Sequence, residues 1–176
     1  MDAASLSIGR LVQHIVRVHH QCVRRELPRL CEMAHELASK SNDLDPKLKD
    51  IEALLNELRA DMLAHIQKEE QVLFSFIYRM DQESTVASPL PRAGFRSIAN
   101  SNAMVTQEHE SANHTMAEIR RITTDFEVPE GACATHAALF AGLRAFEKDL
   151  KQHLHLENDV LFPRAIKLEA ELNSRG

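Results

Sequence analysis

Glycine and proline are scarce in this 176-residue chain, with 5 and 6 copies. So few turn formers exclude a fold of many short, turn-linked segments. The abundant Leu, Ala, Glu, Lys and Arg favour helix instead. No stretch reaches about 18 uninterrupted apolar residues, so no membrane span is expected. The first residues lack a basic start followed by an apolar run, so no secretory leader is expected either. An excess of positive charge is also missing. The net charge is −5, which excludes a general affinity for nucleic acid and reads as a solvated, mildly acidic surface. The three cysteines, Cys22, Cys31 and Cys133, form no C-x-x-C pair. On one helix Cys22 and Cys31 face opposite ways, so free thiols in a reducing cytoplasm are expected. Histidine is what the chain has in excess, with 10 copies.

The length suits one domain with a real core, spanning residues 1–176. Its apolar positions step by three and four along four segments. Residues 6–40 present Val12, Val16, His20, Val23, Leu27 and Leu30 on one face, with a kink expected at Pro28. A break at Ser41-Asn42-Asp43 precedes a second helix over 45–80. Its face carries Leu54, Leu58, Met62, His65, Glu69, Val72 and Phe76, and it leaves Glu70 about 100° off the stripe. Residues 81–95, with Ser84, Thr85, Ser88, Pro89, Pro91 and Gly94, read as a loop or lid. A third helix over 96–125 aligns Val105, His109, Ala112, Met116 and Ile119. After the turn Pro129-Glu130-Gly131, a fourth runs from 132 to 171 with Leu139, Phe146, Leu150, His153, Glu157 and Val160 inward. Pro163 is expected to bend its last turns. Four long amphipathic helices with three connections predict an all-α, up-down-up-down four-helix bundle.

The pattern H-x-x-x-E-x-x-V-L-F occurs twice, from His65 and from His153. Residues four apart share a helix face, so each copy aims an imidazole and a carboxylate at one point inside the core. Buried ionisable groups without partners cost several kcal/mol. The offset from His20 to His109 nearly equals that from His65 to His153. Helices 1 and 2 thus carry His, then His plus Glu, and helices 3 and 4 repeat the set. Two helical hairpins would bring the six groups together about a pseudo-two-fold axis. Four histidines and two glutamates make a natural di-metal set: two imidazoles per metal, both carboxylates bridging. Which histidines share a metal does not follow from spacing. With a bridging oxide or hydroxide each metal would be about five-coordinate and keep an open position. The nitrogen-rich set favours iron over calcium or magnesium, with zinc and manganese as competitors. A lone core histidine is more often a packing residue than a ligand. Six such groups, each centred on an apolar stripe and repeated, argue for the metal. His14, His19, His35, His114, His136 and His155 lack that pattern and are assigned surface or local hydrogen-bonding roles.

These residues resemble a known family. H-H-Q-C-V-R-R-E-L-P around His20, H-I-Q-K-E-E-Q-V-L-F from His65, E-H-E around His109, A-C-A-T around Cys133 and H-L-H-L-E-N-D-V-L-F-P-R-A from His153 are similar to a hemerythrin-like domain. More narrowly, they resemble the di-iron domain of the iron–sulfur cluster repair proteins, the Repair of Iron Centres family. The resemblance implies two iron ions, with His20, His65, His109 and His153 as terminal ligands and Glu69 and Glu157 as bridges. It further implies a bacterial cytoplasmic protein of the nitrosative and oxidative stress response. Two departures bear on function. Oxygen-carrying hemerythrins have a further histidine where this chain has Asn113, and they space the fourth-helix pair by five rather than four. Both argue against simple oxygen carriage. The chain also starts almost directly at helix 1, without the N-terminal cysteine-containing domain of many repair proteins, so a role resting on that domain is not expected.

The functional expectation is a non-haem di-iron protein that binds NO or O2 and acts on damaged iron–sulfur proteins. The alternatives are a di-iron oxygen or redox sensor, an NO- or peroxide-consuming oxidoreductase, and a metal-free structural bundle. Whether the chain is an enzyme is left open by the sequence.

Overall fold

A computed structural model describes residues 3–40, 46–83 and 97–174. Among these there are helices and turns and no strand. The helices are α1 (Ile8–Ile15), α2 (Gln21–Lys40), α3 (Pro46–Lys68), α4 (Ser75–Glu83), α5 (Ile98–Ile122), α6 (Ala134–His155) and α7 (Phe162–Asn173). Three π-helical segments join them end to end. Val16–His20 links α1 to α2, Glu69–Phe74 links α3 to α4, and Leu156–Leu161 links α6 to α7. The result is four rods, 8–40, 46–83, 98–122 and 134–173. The first packs against the second and fourth, and the third closes the ring. α2 lies against α3 while α1 lies against α4, so the first two rods run antiparallel. This is the all-α up-down-up-down bundle that the periodicity predicts.

The rod ends follow local chemistry. Ser7 and Ser97 cap α1 and α5 by accepting from the backbone N–H of Arg10 and Asn100, a preference of short oxygen-bearing side chains. The third helix, expected to reach 125, stops at Ile122. Thr124, Asp125 and Phe126 take positive φ angles of 51°, 63° and 59°, a region unfavourable for L-residues. The turn is held because Phe126 is buried, its N–H donates to Thr123 Oγ1, and Arg144 donates to the carbonyls of Asp125 and Phe126. Burying such a ring contributes about 1.5–3 kcal/mol. α2 runs on through Pro28. Pro163 falls in the first turn of α7, directly after a π segment, where a missing N–H costs little. Residues 81–83 continue α4; the rest of the expected 81–95 loop, and Ser41-Asn42-Asp43, lie outside the described residues.

The core is in two parts. One apolar cluster gathers Val23, Leu27, Leu58, Met62, Met116, Phe146 and their neighbours from α2, α3, α5 and α6. The other gathers Ile15, Phe74, Ile77, Val105, Leu161 and Phe162 at the opposite end of the bundle. His20, His65, Glu69, His109, His153 and Glu157 are buried at the level where the π segments fall, between the two. No described helix is long and apolar enough to cross a membrane.

The π segments correct the predicted faces. A π turn carries more than 3.6 residues, so the stripe slips by one beyond it. Val72, expected inward, is 49% exposed, while Leu73 and Phe74 are buried. In the second copy of the motif Val160 is only half-buried, and Leu161 and Phe162 take the core positions. Val16 is likewise half-buried at the start of its segment.

Candidate metal centre

The six groups singled out by periodicity converge. Their ligand-capable atoms form two overlapping sets, His20, Glu69, His153 and Glu157, and His65, Glu69, His109 and Glu157. Within each set these atoms lie within 4.8 Å of one another. The geometry pairs His20 with His153 and His65 with His109, which spacing left open. Both carboxylates belong to both corners. Glu157 turns Oε1 to His20 Nε2 at 3.3 Å and His153 Nε2 at 2.8 Å, and Oε2 to His109 Nε2 at 3.2 Å. Glu69 Oε2 lies 3.4 Å from Nε2 of both His20 and His65. Each motif glutamate sits in a π segment and His20 ends another, so the widened turns fall where the groups must face inward together.

The outer nitrogens fix the tautomers. A carboxylate or amide oxygen can only accept, so an imidazole nitrogen beside one carries the proton. His20 Nδ1 donates to Glu70 Oε1 at 2.8 Å, His65 Nδ1 to Glu108 Oε2 at 2.7 Å, and His109 Nδ1 to Asn158 Oδ1 at 2.9 Å. Glu70 is clamped by both arms of Arg24, and Glu108 by Lys68. These partners leave the Nε2 lone pairs for the interior, the arrangement that metal-binding imidazoles adopt. Sequence reasoning missed them. Their signal was adjacency, since Glu70, Glu108 and Asn158 each neighbour a motif residue; Glu70 does lie off the stripe and serves His20 from there.

The interior lacks positive charge. Both oxygens of Glu69 and Oε2 of Glu157 are buried without a hydrogen bond among the described residues. His65 Nε2 and His109 Nε2 face each other at 2.9 Å, two acceptors that need a proton or a cation between them. Protonation shows the same need. Burial, then the nearby Glu157, pushes the Glu69 carboxyl up to about 8. Burial works against a charged His20, but the nearby Glu157 and Glu69 carboxylates outweigh it and raise the imidazole to about 10. Burial carries His65 down to about 4 despite Glu108. Glu157 is buried too, but the surrounding imidazoles, His153 first, hold it well below the usual carboxylate range. Four inward imidazole nitrogens, two shared carboxylates and unpaired buried oxygens fit a pair of cations, which would displace the protons now demanded.

Of the other histidines, His35 and His155 are exposed beside Glu52 and Asp159, and His114 is exposed. His14 and His136 are half-buried. His19 departs from expectation: it is buried, its Nδ1 donates to Asp149 Oδ1 at 3.0 Å, and its ring stacks on His153. Asn113 is exposed, so the third rod contributes one imidazole to the centre. All three cysteines are free. Beside His65 and Glu108 a cavity of ≈ 230 Å³ opens, edged by Asp61, Lys68, Ser111 and Thr115. On the other side Phe74 stacks on His20, ring centres 5.4 Å apart.

Residues 11–165 match the Hemerythrin HHE cation binding domain. A probable iron-sulfur cluster repair protein of Haemophilus influenzae is 30% identical over 165 residues, 94% of this chain and 68% of that protein. The iron-sulfur cluster repair protein YtfE of Dickeya chrysanthemi is 31% identical, covering 96% of this chain and 70% of the relative. DnrN of Neisseria gonorrhoeae, also an iron-sulfur cluster repair protein, is 31% identical over 90% of this chain and 91% of its own length.

Proposed function

The chain belongs to the hemerythrin HHE cation binding family, and from that premise we propose that it is a non-haem di-iron protein of the nitrosative and oxidative stress response, acting in iron–sulfur cluster repair. The observation that carries this reading is the pair of overlapping four-group sets that share Glu69 and Glu157. His20 and His153 would hold one iron, His65 and His109 the other, with both glutamates bridging. Two iron ions, when bound, supply exchangeable electrons and an open position for a diatomic ligand such as NO or O2. The repair role is supported by the relatives named for it, and damaged iron–sulfur proteins would be the partners. A cytoplasmic setting belongs to the same reading.

The chain's own residues do three things in this scheme. Glu70, Glu108 and Asn158 keep the proton on Nδ1, so that each Nε2 faces inward as a base. Phe74 closes the His20 side against water. The polar cavity at His65 and Glu108 leaves a side by which a small molecule or a hydrated ion approaches.

The test is metal analysis and an absorption spectrum of protein purified without affinity-tag histidines. The expected result is about two irons per chain, with new bands when the reduced protein meets NO. One zinc or no metal would overturn the di-iron reading. Two irons without a spectral response to NO would confine the overturned part to the diatomic ligand.

A further inference from the structure

Three of the four inward imidazoles are held from behind by a hydrogen bond. His153 is the exception. Its Nδ1 is buried and has no hydrogen-bond partner among the described residues. The ring is anchored only at its inner nitrogen, Nε2, 2.8 Å from Glu157 Oε1, and with no bond on the outer one it can pivot about that contact. Something else must hold it.

The packing around His153 supplies that. His19 lies over it, ring centres 5.6 Å apart and planes 6° from parallel. His19 is itself fixed, since its Nδ1 donates to Asp149 Oδ1 at 3.0 Å. Asp149 stands four residues before His153 on α6, one turn away on the same face. Its second oxygen, Oδ2, is also buried and unpaired among the described residues. Two unsatisfied buried atoms, His153 Nδ1 and Asp149 Oδ2, thus occupy adjacent turns of one helix face. Cys22 sits beside the same carboxylate.

We infer that Asp149 is the positioning residue for His153, acting through the stacked ring of His19, and so fills the place that Glu70, Glu108 and Asn158 fill for the other three imidazoles. The clamp spans two rods: His19 comes from the first π segment, Asp149 and His153 from α6. It ties the orientation of His153 to the seating of the first rod against the fourth. The inference rests on the two-ion reading for its metal consequence, but not for the orientation of His153 in the metal-free protein.

The experiment uses the full chain and cobalt(II) as the probe metal. Cobalt is titrated against a competing chelator and its visible bands are followed, while imidazole 15N–1H spectra of the metal-free protein report the His153 ring. Asp149→Ala is expected to weaken one of the two cobalt ions by about 10–100-fold, the usual cost of losing an outer-sphere partner, and to leave the other unchanged. The His153 signal should shift or broaden while those of His65 stay in place. Asp149→Asn, whose amide oxygen still accepts from His19, should restore both readouts. Wild-type affinity at both ions together with an unmoved His153 signal in Asp149→Ala would overturn the inference. Should Asp149→Ala fail to fold by circular dichroism, His19→Phe decides. That variant keeps a flat ring but cannot bond Asp149, so wild-type affinity and an unmoved His153 signal there would equally overturn it. If the wild type takes up fewer than two cobalt ions, the two-ion reading falls, and the His153 signal alone still decides the positioning role.

Discussion

The corner made by His65 and His109 and the corner made by His20 and His153 share Glu69 and Glu157 but are backed differently. Behind His65 and His109 stand Glu108 and Asn158, both at hydrogen-bonding distance from Nδ1, and the cavity at Glu108 opens on that side. Behind His20 and His153 stand a clamped carboxylate, Glu70, and a stacked ring, His19, with Phe74 closing over His20. The protonation demands differ as well. His20 is raised to about 10, and His65 is lowered to about 4 by its burial. A site that is two-fold symmetric in its inward groups is thus asymmetric one layer out. Symmetry of donors sets what is bound; the layer behind sets how each half responds.

The widest change is the one that ignores the asymmetry. Glu157→Gln removes a charge common to both corners. Affinity at both should fall by more than the ~10–100-fold of an outer-sphere loss, read as iron content after dialysis and as a chelator-competition isotherm. Retention of one tightly bound iron would show that Glu157 serves a single corner. Next comes the stoichiometry of single-corner variants. On the proposed two-iron reading, His109→Ala and His20→Ala should each halve the bound iron, and the ion that remains should carry a different absorption spectrum in the two variants. Identical spectra would erase the distinction between the corners. Loading should also expel protons. Glu69 and His20 are both raised and share the demand for a proton. Filling the site with a divalent ion in weakly buffered indicator should therefore release at least one proton per chain, and fewer in Glu69→Gln.

How much of this is legible without coordinates can be judged residue by residue. The bundle and the six inward groups follow from a period of three to four, because burial enforces that period wherever a rod faces the core. What the period cannot show is where it slips. Val72 and Val160 look like core positions in an unbroken α-helix, but a wider turn after each motif glutamate hands the core to Leu73–Phe74 and Leu161–Phe162. The pairing of His20 with His153 is equally invisible, being a property of how the rods meet. His19 looks like a surface neighbour of His20 because on an α-helix it points about 100° away; here it falls in a π segment and is buried against the fourth rod.

Smaller effects sharpen the comparison further. Glu108→Gln and Glu70→Gln should each weaken only their own corner, by about 10–100-fold, read by the same competition isotherm. The Glu70 variant should cost more, since it breaks the two-armed bond of Arg24 where Glu108→Gln breaks one bond from the more exposed Lys68; equal losses would mean that the second Arg24 arm adds nothing. The smallest effect lies away from both corners and serves as their control. Glu147 is buried and paired with Arg120 and Lys151, and the Arg120 bond holds its carboxyl below the usual range. A depressed carboxyl stabilises the fold above its unfolded-state value and loses that contribution as pH falls through the folded-state one. Glu147→Gln should cost about 1–2 kcal/mol near neutrality, measured by urea unfolding. The gap from wild type should close as pH drops below about 4, with iron content unchanged at neutral pH.

The extra residue in each π segment makes the metal-facing turn a portable cassette. An ordinary helix is addressed by its face: any residue three or four further on finds the same neighbours, and the pattern can slide. A rod with one widened turn is addressed by counting from that turn, because everything beyond it is rephased. Three of the four rods carry such a mark at the same height, which pins their relative register as a key pins a lock. The rod without one, α5, brings a single imidazole, and on that rod a side chain is placed by face alone.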